Sequence, residues 1–199
     1  LDQLNPKLII YEINPGVLSE DGVESALDII ANDKNDIYSI QMALKLNHAK
    51  VYNTLMYGLM QDIFNLNNSF VEAYKSGDDE YIRGGFVQRK ISYYSPTTEL
   101  KSTTEFNEKQ LSSFKTIVNM IKERNIPLIF VFVPIPTSTF NQYSNNADFD
   151  SIIESYSTYY NFNEIIQLDD SLDFYDFQHL NQNGVEIFNK KLLEILQNN

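Results

Sequence analysis

The sequence predicts an α/β domain built on a parallel sheet, and three features of its pattern lead to that class. Two short, almost unbroken apolar runs, Lys7–Ile13 and Pro127–Val133, stop abruptly at Asn-Pro-Gly and at Pro-Ile-Pro. Such runs are typical of strands that are buried on both faces, as strands of a parallel sheet are. Amphipathic helical stretches precede the second run and close the chain. Helices that alternate with buried strands define the α/β class.

The first third of the chain predicts one strand followed by helices. The strand is Lys7–Ile13, and from residue 19 to residue 75 the pattern is helical. A capping-type start lies near Ser19–Asp21, and further helices are predicted at Ile37–Leu46 and Val51–Phe64. Because these stretches exceed a minimal crossover between parallel strands, we expect residues 19–75 to form an inserted helical layer beside the sheet.

Residues 77–96 predict a hairpin-like excursion. The glycine pair Gly84-Gly85 is followed by residues of alternating character, which is typical of a surface hairpin. Arg83 and Arg89 flank the glycines. Two interpretations stay open: the arginines hold an anionic group of a substrate, or they are solvated cations of a surface hairpin.

The last hundred residues predict the remaining layers of the fold. Phe106–Asn125 carries apolar residues at helical spacing on one face, directly before the second strand. A third, weaker strand is predicted at Glu164–Leu168. The chain then ends in an amphipathic helix with apolar positions from Val185 to Leu196, for which Asn181 is the expected N-cap.

Composition bounds the class of partner. The 199 residues include 27 Asp+Glu and 15 Lys+Arg, which gives a formal net charge of −12, and 43% of them are hydrophobic. The apolar fraction suffices for one folded domain that spans residues 1–199. The negative surplus repels a phosphate backbone, and no basic run offsets it, so we predict no nucleic-acid partner.

The sequence has no pattern that is typical of a metal site, a cofactor site or a membrane span. The chain has no cysteine and two histidines, which excludes disulfides and thiolate nucleophiles and disfavours a histidine-built metal site. The acids between Asp169 and Asp176 miss the spacing of a calcium loop. We predict no metal and no organic cofactor. The longest apolar run, Ile126–Ile135, is far shorter than the roughly 20 residues of a membrane span, so none is predicted.

One segment carries recognisable chemistry, and it lies between the third predicted strand and the last helix. Asp176 and His179 are three residues apart there. At that spacing a carboxylate reaches the imidazole Nδ1–H, fixes the tautomer, directs Nε2 outward and stabilises the imidazolium. Two interpretations stay open: the pair is the base half of a Ser-His-Asp device, or it only caps the helix. The other histidine, His48, lies at a helix junction and is interpreted as solvated or capping.

The segment Asp176-Phe-Gln-His179-Leu-Asn-Gln-Asn-Gly184 resembles the D-x-x-H block of the SGNH (GDSL-like) hydrolases, which lies just before their final helix. Asn5–Ile13 and Arg124–Pro134 are similar to strands of that family in the same order. The nearest branch contains cell-envelope O-acyltransferase-like and D-alanylation-like proteins. The resemblance implies a flavodoxin-like, three-layer parallel sheet, an extracytoplasmic and bacterial setting, and an ester substrate on a carbohydrate or cell-envelope polymer. It assigns His179 as general base and acid and Asp176 as its orienter.

The chain departs from the family at the nucleophile. The family's serine lies in a Gly-Asp-Ser block after the first strand, whereas here Gly77-Asp78 is followed by Asp79. No serine is assigned as nucleophile. Since Leu1 stands without Met just before what would be the third strand, we expect the chain to be part of a longer protein or a degenerate member.

The family's oxyanion-hole asparagine has one counterpart here, Asn14, which follows the first strand. It either points its amide into the site or is an ordinary turn residue of Asn-Pro-Gly. Two functions are therefore predicted as alternatives. The first is an SGNH-type esterase or O-acyltransferase, and the second is a non-catalytic SGNH-like module that binds glycan or protein.

Overall fold

The computed structural model describes residues 4–64, 74–82, 86–96 and 102–198. The chain divides into two compact units, one formed by Leu1–Glu20 with Lys75–Asn199 and the other by Asp21–Tyr74. In chain order the elements are β1 (Ile9–Glu12), α1 (Pro15–Ser19), α2 (Val23–Asn32), α3 (Ile37–Leu46), α4 (Ala49–Phe64), β2 (Lys75–Ser76), β3 (Asp79–Ile82), β4 (Phe86–Arg89), α5 (Glu108–Glu123), β5 (Leu128–Phe132), α6 (Thr137–Phe140), α7 (Asn146–Glu154), β6 (Thr158–Asn161), α8 (Phe162–Ile165) and α9 (Gln182–Asn198).

The first unit contains a three-stranded parallel sheet in the order β1-β5-β6. Ile9 is opposite Leu128, and Ile129 is opposite Thr158, so the three strands run in register toward a common carboxyl edge. This arrangement confirms the mixed α/β class with a parallel sheet. The first two predicted strands are confirmed as β1 and β5. The expected burial holds for β5, but it is wrong for β1, in which Ile10 is 42% exposed.

The third predicted strand is wrong. The segment Glu164–Leu168 begins inside α8 and continues as irregular chain, and the third strand is instead β6. Asn161 explains the boundary, because its side-chain oxygen accepts the Asn163 N–H and caps α8. The Ile-Ile pair that suggested a strand is Ile165 and Ile166, at the end of that short helix.

The core of this unit lies against the sheet and is rich in aromatic side chains. Helix α5 buries Phe114, Val118 and Ile121, which recur at helical spacing along one face, whereas Ile117 lies off this stripe and is 40% exposed. The ring centroids of Phe114 and Phe130 are 5.4 Å apart. The members of this core are Ile13, Leu18, Phe114, Val118, Ile121, Leu128, Phe130, Phe132, Phe149 and Ile153.

A second, antiparallel sheet belongs to the same unit. Its order is β2-β3-β4, and Asp79 of β3 is opposite Arg89 of β4. The hairpin expected within residues 77–96 is therefore present. Its turn, with Arg83 and the glycine pair, lies outside the described residues.

The other unit is helical and consists of α2, α3 and α4. Its own core comprises Val23, Ala26, Ile30, Ala43, Val51 and Leu55. Helix α3 has the predicted bounds, and its N-cap Asp36 accepts the Tyr38 and Ser39 N–H groups. Within the described ranges, no helix is both long and apolar enough to cross a bilayer.

Candidate active site

The loop that carries Asp176 and His179 is closed on itself by backbone hydrogen bonds. Phe174 and Leu180 form an antiparallel bridge, and the Tyr175 N–H donates to the His179 carbonyl at 2.7 Å. A chain that leaves at Phe174 and returns at Leu180 must turn sharply between them. This turn brings the Asp176 carboxylate to the His179 ring.

The Asp176–His179 pair has the geometry of a catalytic dyad. Nδ1 of His179 lies 2.9 Å from each carboxylate oxygen of Asp176. The backbone N–H groups of Gln178 and His179 both donate to Oδ1 of Asp176 at 2.8 Å, which fixes the carboxylate from a second direction. The His179 side chain is 72% exposed, so the ring is open to a substrate while Nδ1 is engaged.

The same contacts set the charge of Asp176. Partial burial acts to raise the pKa of Asp176, but hydrogen bonds from the Gln178 N–H and from the ring and N–H of His179, with the positive charge of His179, outweigh it. The net pKa is lower than that of an ordinary aspartate. The carboxylate is thus ionised at neutral pH, as an orienting partner of an imidazole must be.

Asn181 fastens this loop to the last helix, and it confirms the predicted N-cap. Its Oδ1 accepts the N–H groups of Asn183 and Gly184. Its Nδ2 lies within hydrogen-bond distance of three carbonyl oxygens, those of Ser92, Leu172 and Phe174. One buried side chain therefore holds the loop, the helix start and the segment after β4 together.

Gly184 allows this close packing. A Cβ placed on Gly184 would meet the Asp173 carbonyl oxygen at 2.2 Å and a Leu180 methyl at 2.8 Å. The backbone of the loop therefore lies against the first turn of α9 where only a glycine fits. Gly184, the last residue of the Leu-Asn-Gln-Asn-Gly segment, is therefore needed for this packing.

His179 faces the carboxyl edge of the parallel sheet through a cavity of about 190 Å³, which we call the β1 cavity. Glu12, at the end of β1, and Asn14 line this cavity together with His179. Desolvation raises the pKa of the Glu12 carboxyl, and the positive charge of His179 acts in the opposite direction. Ligand sites of open α/β sheets lie at this edge.

The sequence left two interpretations of Asn14 open, a turn residue or a donor to the oxyanion. Its Oδ1 accepts the Val17 N–H at 3.2 Å and caps α1. Its Nδ2 group has no hydrogen-bond partner among the described residues, and Asn14 lines the same cavity as His179. The turn is therefore shown, and a donor remains available for a substrate.

His179 also lines a second cavity of about 360 Å³, between β4 and the start of α9, which we call the β4 cavity. Arg89 forms its rim. The guanidinium donates to the Asp79 carboxylate at 2.5 and 2.8 Å and lies over the Tyr175 ring, 5.2 Å from the ring centroid. These contacts tie the hairpin to the residue that directly precedes Asp176.

Neither His48 nor Ser138 lines a cavity that contains His179. His48 lies between α3 and α4 in the helical unit, where its Nδ1 is buried without a hydrogen-bond partner. Ser138 lies near the start of α6, and its Oγ is buried without a hydrogen-bond partner. Glu12 was missed by the sequence analysis, although it is the one acid within the first predicted strand, Lys7–Ile13.

Neither a scan against protein-family models nor searches of curated proteins and of solved structures found a match for this chain. Among the described residues, no group of three or more His, Asp or Glu side chains is placed to hold a metal ion. The fold and the site define an α/β protein with an open Asp–His pair at the carboxyl edge of a parallel sheet.

Proposed function

We propose that this chain is an SGNH-type ester hydrolase or O-acyltransferase domain that acts, outside the bacterial cytoplasm, on an acylated carbohydrate or cell-envelope polymer. The observation that carries the proposal is the Asp176–His179 geometry, with both carboxylate oxygens 2.9 Å from Nδ1 and the His179 side chain 72% exposed. The strand order β1-β5-β6 supports it, because the pair lies at the edge where α/β folds place their ligand sites.

The chemistry follows from the orientation of the ring. Nε2 of His179 takes the proton of an attacking hydroxyl as its oxygen bonds to the ester carbonyl carbon, and Asp176 stabilises the imidazolium. When the tetrahedral intermediate collapses, the bond to the leaving alcohol breaks and His179 returns the proton to that oxygen. The free Nδ2 donor of Asn14 serves the oxyanion, a contact that contributes about 3 kcal/mol in established oxyanion holes.

The proposed reaction requires a group that supplies the attacking hydroxyl. Among the described residues that line the β1 and β4 cavities there is no serine, threonine or cysteine. The hydroxyl is therefore supplied by a residue other than these, by water or by an acceptor. This observation also favours the second candidate function, a glycan- or protein-binding module in which the dyad is structural.

Ester turnover separates the two functions. We expect the protein to hydrolyse or transfer acyl groups from acetylated glycans, and His179→Ala to lower turnover by about 10²–10⁴-fold, the contribution of a general base. His48→Ala is the matched control and leaves turnover unchanged. A fluorophosphonate probe followed by mass spectrometry locates an enzymic serine.

Glycan binding without turnover, or turnover that survives His179→Ala, would contradict the enzymatic proposal. The first result would support the binding module instead.

A further inference from the structure

The two cavities beside the dyad differ in chemistry, and His179 is the one described residue that lines both. Because the two cavities share only His179 among the described residues that line them, we assign the acyl group of an ester near Nε2 to one cavity and its alcohol to the other. The residues that line each cavity indicate whether it binds the acyl group or the alcohol of the ester.

The β4 cavity suits an acyl chain. Four aliphatic side chains line it from three segments, namely Val87, Ile91, Leu180 and Val185. Asp79 and Arg89, which also line it, neutralise one another through their two hydrogen bonds. Lys90 is the one charge of the hairpin wall that has no paired carboxylate in the described chain. A volume of about 360 Å³ accommodates a short acyl chain.

The β1 cavity suits a hydroxyl-bearing alcohol. Glu12 and Glu20 contribute carboxylates, and Asn14, Tyr143 and Gln178 contribute further hydrogen-bonding groups. No lysine or arginine is among the described residues that line it. Carboxylates accept hydrogen bonds from sugar hydroxyls, whereas they repel a phosphate or carboxylate in the same place.

We propose that the enzyme binds a short-chain acyl ester of an uncharged sugar, with the acyl chain in the β4 cavity and the sugar in the β1 cavity. The proposal rests on the proposed function, since it takes His179 as the group that meets the ester. The proposal defines the orientation of the substrate relative to Asp176 and His179, and it excludes an anionic sugar as the alcohol part.

The test uses amide analogues, which bind without turning over: N-acetyl-, N-butanoyl- and N-hexanoylglucosamine, titrated into methyl-labelled protein and followed by NMR. Affinity is expected to rise with chain length by up to about fourfold for each buried methylene. The Val87 and Val185 methyl signals should respond to the chain, and the Val17 signal to the sugar. A 6-phosphate on the butanoyl compound should weaken binding.

Two exposed valines provide matched variants. Val87 is 57% exposed in the β4 cavity and Val17 is 45% exposed in the β1 cavity, so each accepts a tryptophan at the surface. Val87→Trp should abolish the dependence on chain length, so that the three analogues bind with similar affinity. Val17→Trp should weaken all three analogues equally. Ile91→Trp, at a position 43% exposed, repeats the first substitution in case Val87→Trp does not fold.

A length dependence that persists in Val87→Trp and Ile91→Trp but disappears in Val17→Trp would reverse the assignment. No binding, or no length dependence in the parent protein, would also overturn it. Since the analogues are not hydrolysed, these results are independent of turnover. An active enzyme with the reverse orientation disproves only this inference, and an inactive protein with the expected binding disproves only catalysis.

Discussion

The two histidines of the chain occupy similar places and have different surroundings. His48 directly precedes α4, and His179 lies three residues before α9. The residue three positions earlier is Lys45 for His48 and Asp176 for His179. Nδ1 of His48 is buried with no hydrogen-bond partner, whereas Nδ1 of His179 contacts both oxygens of a carboxylate. The position before a helix therefore does not distinguish the two histidines, whereas the carboxylate beside His179 and its exposed side chain do.

The largest expected effect comes from removing the orienting charge. Asp176→Asn keeps the shape of the side chain but replaces an acceptor with an amide, and we expect ester turnover to fall by about 10²–10⁴-fold. Steady-state kinetics on an acetylated glycan measure this fall in turnover. Asp173→Asn, a substitution in the same loop, is the control and should leave turnover within a few fold. Equal losses in both variants would show that the loop, not the dyad, was disturbed.

The next effect is on stability and concerns Asn181. Asn181→Ala removes the α9 cap and the Nδ2 donor that the Ser92, Leu172 and Phe174 carbonyls share, which we expect to lower the free energy of unfolding by about 2 kcal/mol. Asn107→Ala is the matched control, since Asn107 caps α5 through a single bond to the Lys109 N–H, and its expected cost is about 1 kcal/mol. Urea denaturation measures the free energy of unfolding of both variants and of the parent protein. Equal losses would mean that the carbonyl contacts of Asn181 contribute nothing.

A smaller effect is a pH dependence of stability. Because the pKa of Asp176 is lowered in the folded protein, its ionised form contributes stability that is fully present above the unfolded value of about 3.9. The contribution is lost as the pH falls through the lower, folded pKa. The difference in unfolding free energy between the parent protein and Asp176→Asn should therefore shrink as the pH falls below about 4. A difference that stays constant to pH 2.5 would contradict this cause.

The smallest effect links His179 to Glu12. The positive charge of His179 lowers the pKa of Glu12 against the larger, opposite effect of desolvation. His179→Gln should therefore raise the pKa of Glu12 further, as measured by ¹³C NMR of its carboxyl group. His48→Gln should not change it. A fall, or no change in both variants, would place Glu12 outside the reach of the His179 ring.

The sequence predicts the parts of this molecule that depend on local pattern. The runs that became β1 and β5, the apolar stripe of α5 and the Asp176–His179 spacing are all visible in one dimension. Strand β6 was missed because Thr158–Asn161 is half-buried and polar at both ends, so it has no unbroken apolar run. Its strand character comes from pairing with β5.

The surroundings of the dyad were less predictable, because they join distant parts of the chain. The contact of Arg89 with Tyr175 spans 86 positions, and that of Asn181 with Ser92 spans 89. Neither pairing leaves a periodic signal in the sequence. The interpretation of Arg89 as an anion-binding residue was left open for the same reason, since its partner Asp79 is identified only by the register of the hairpin.

The tautomer of His179 tests the account most directly. A neutral ring that donates Nδ1–H to Asp176 leaves Nε2 unprotonated, and ¹⁵N NMR distinguishes the two nitrogens by their chemical shifts and couplings. We predict, at a pH where the ring is neutral, a proton on Nδ1 of His179 in the parent protein and its loss from that position in Asp176→Asn. A proton on Nε2 of His179 in the parent protein would contradict the assignment of this histidine as a base.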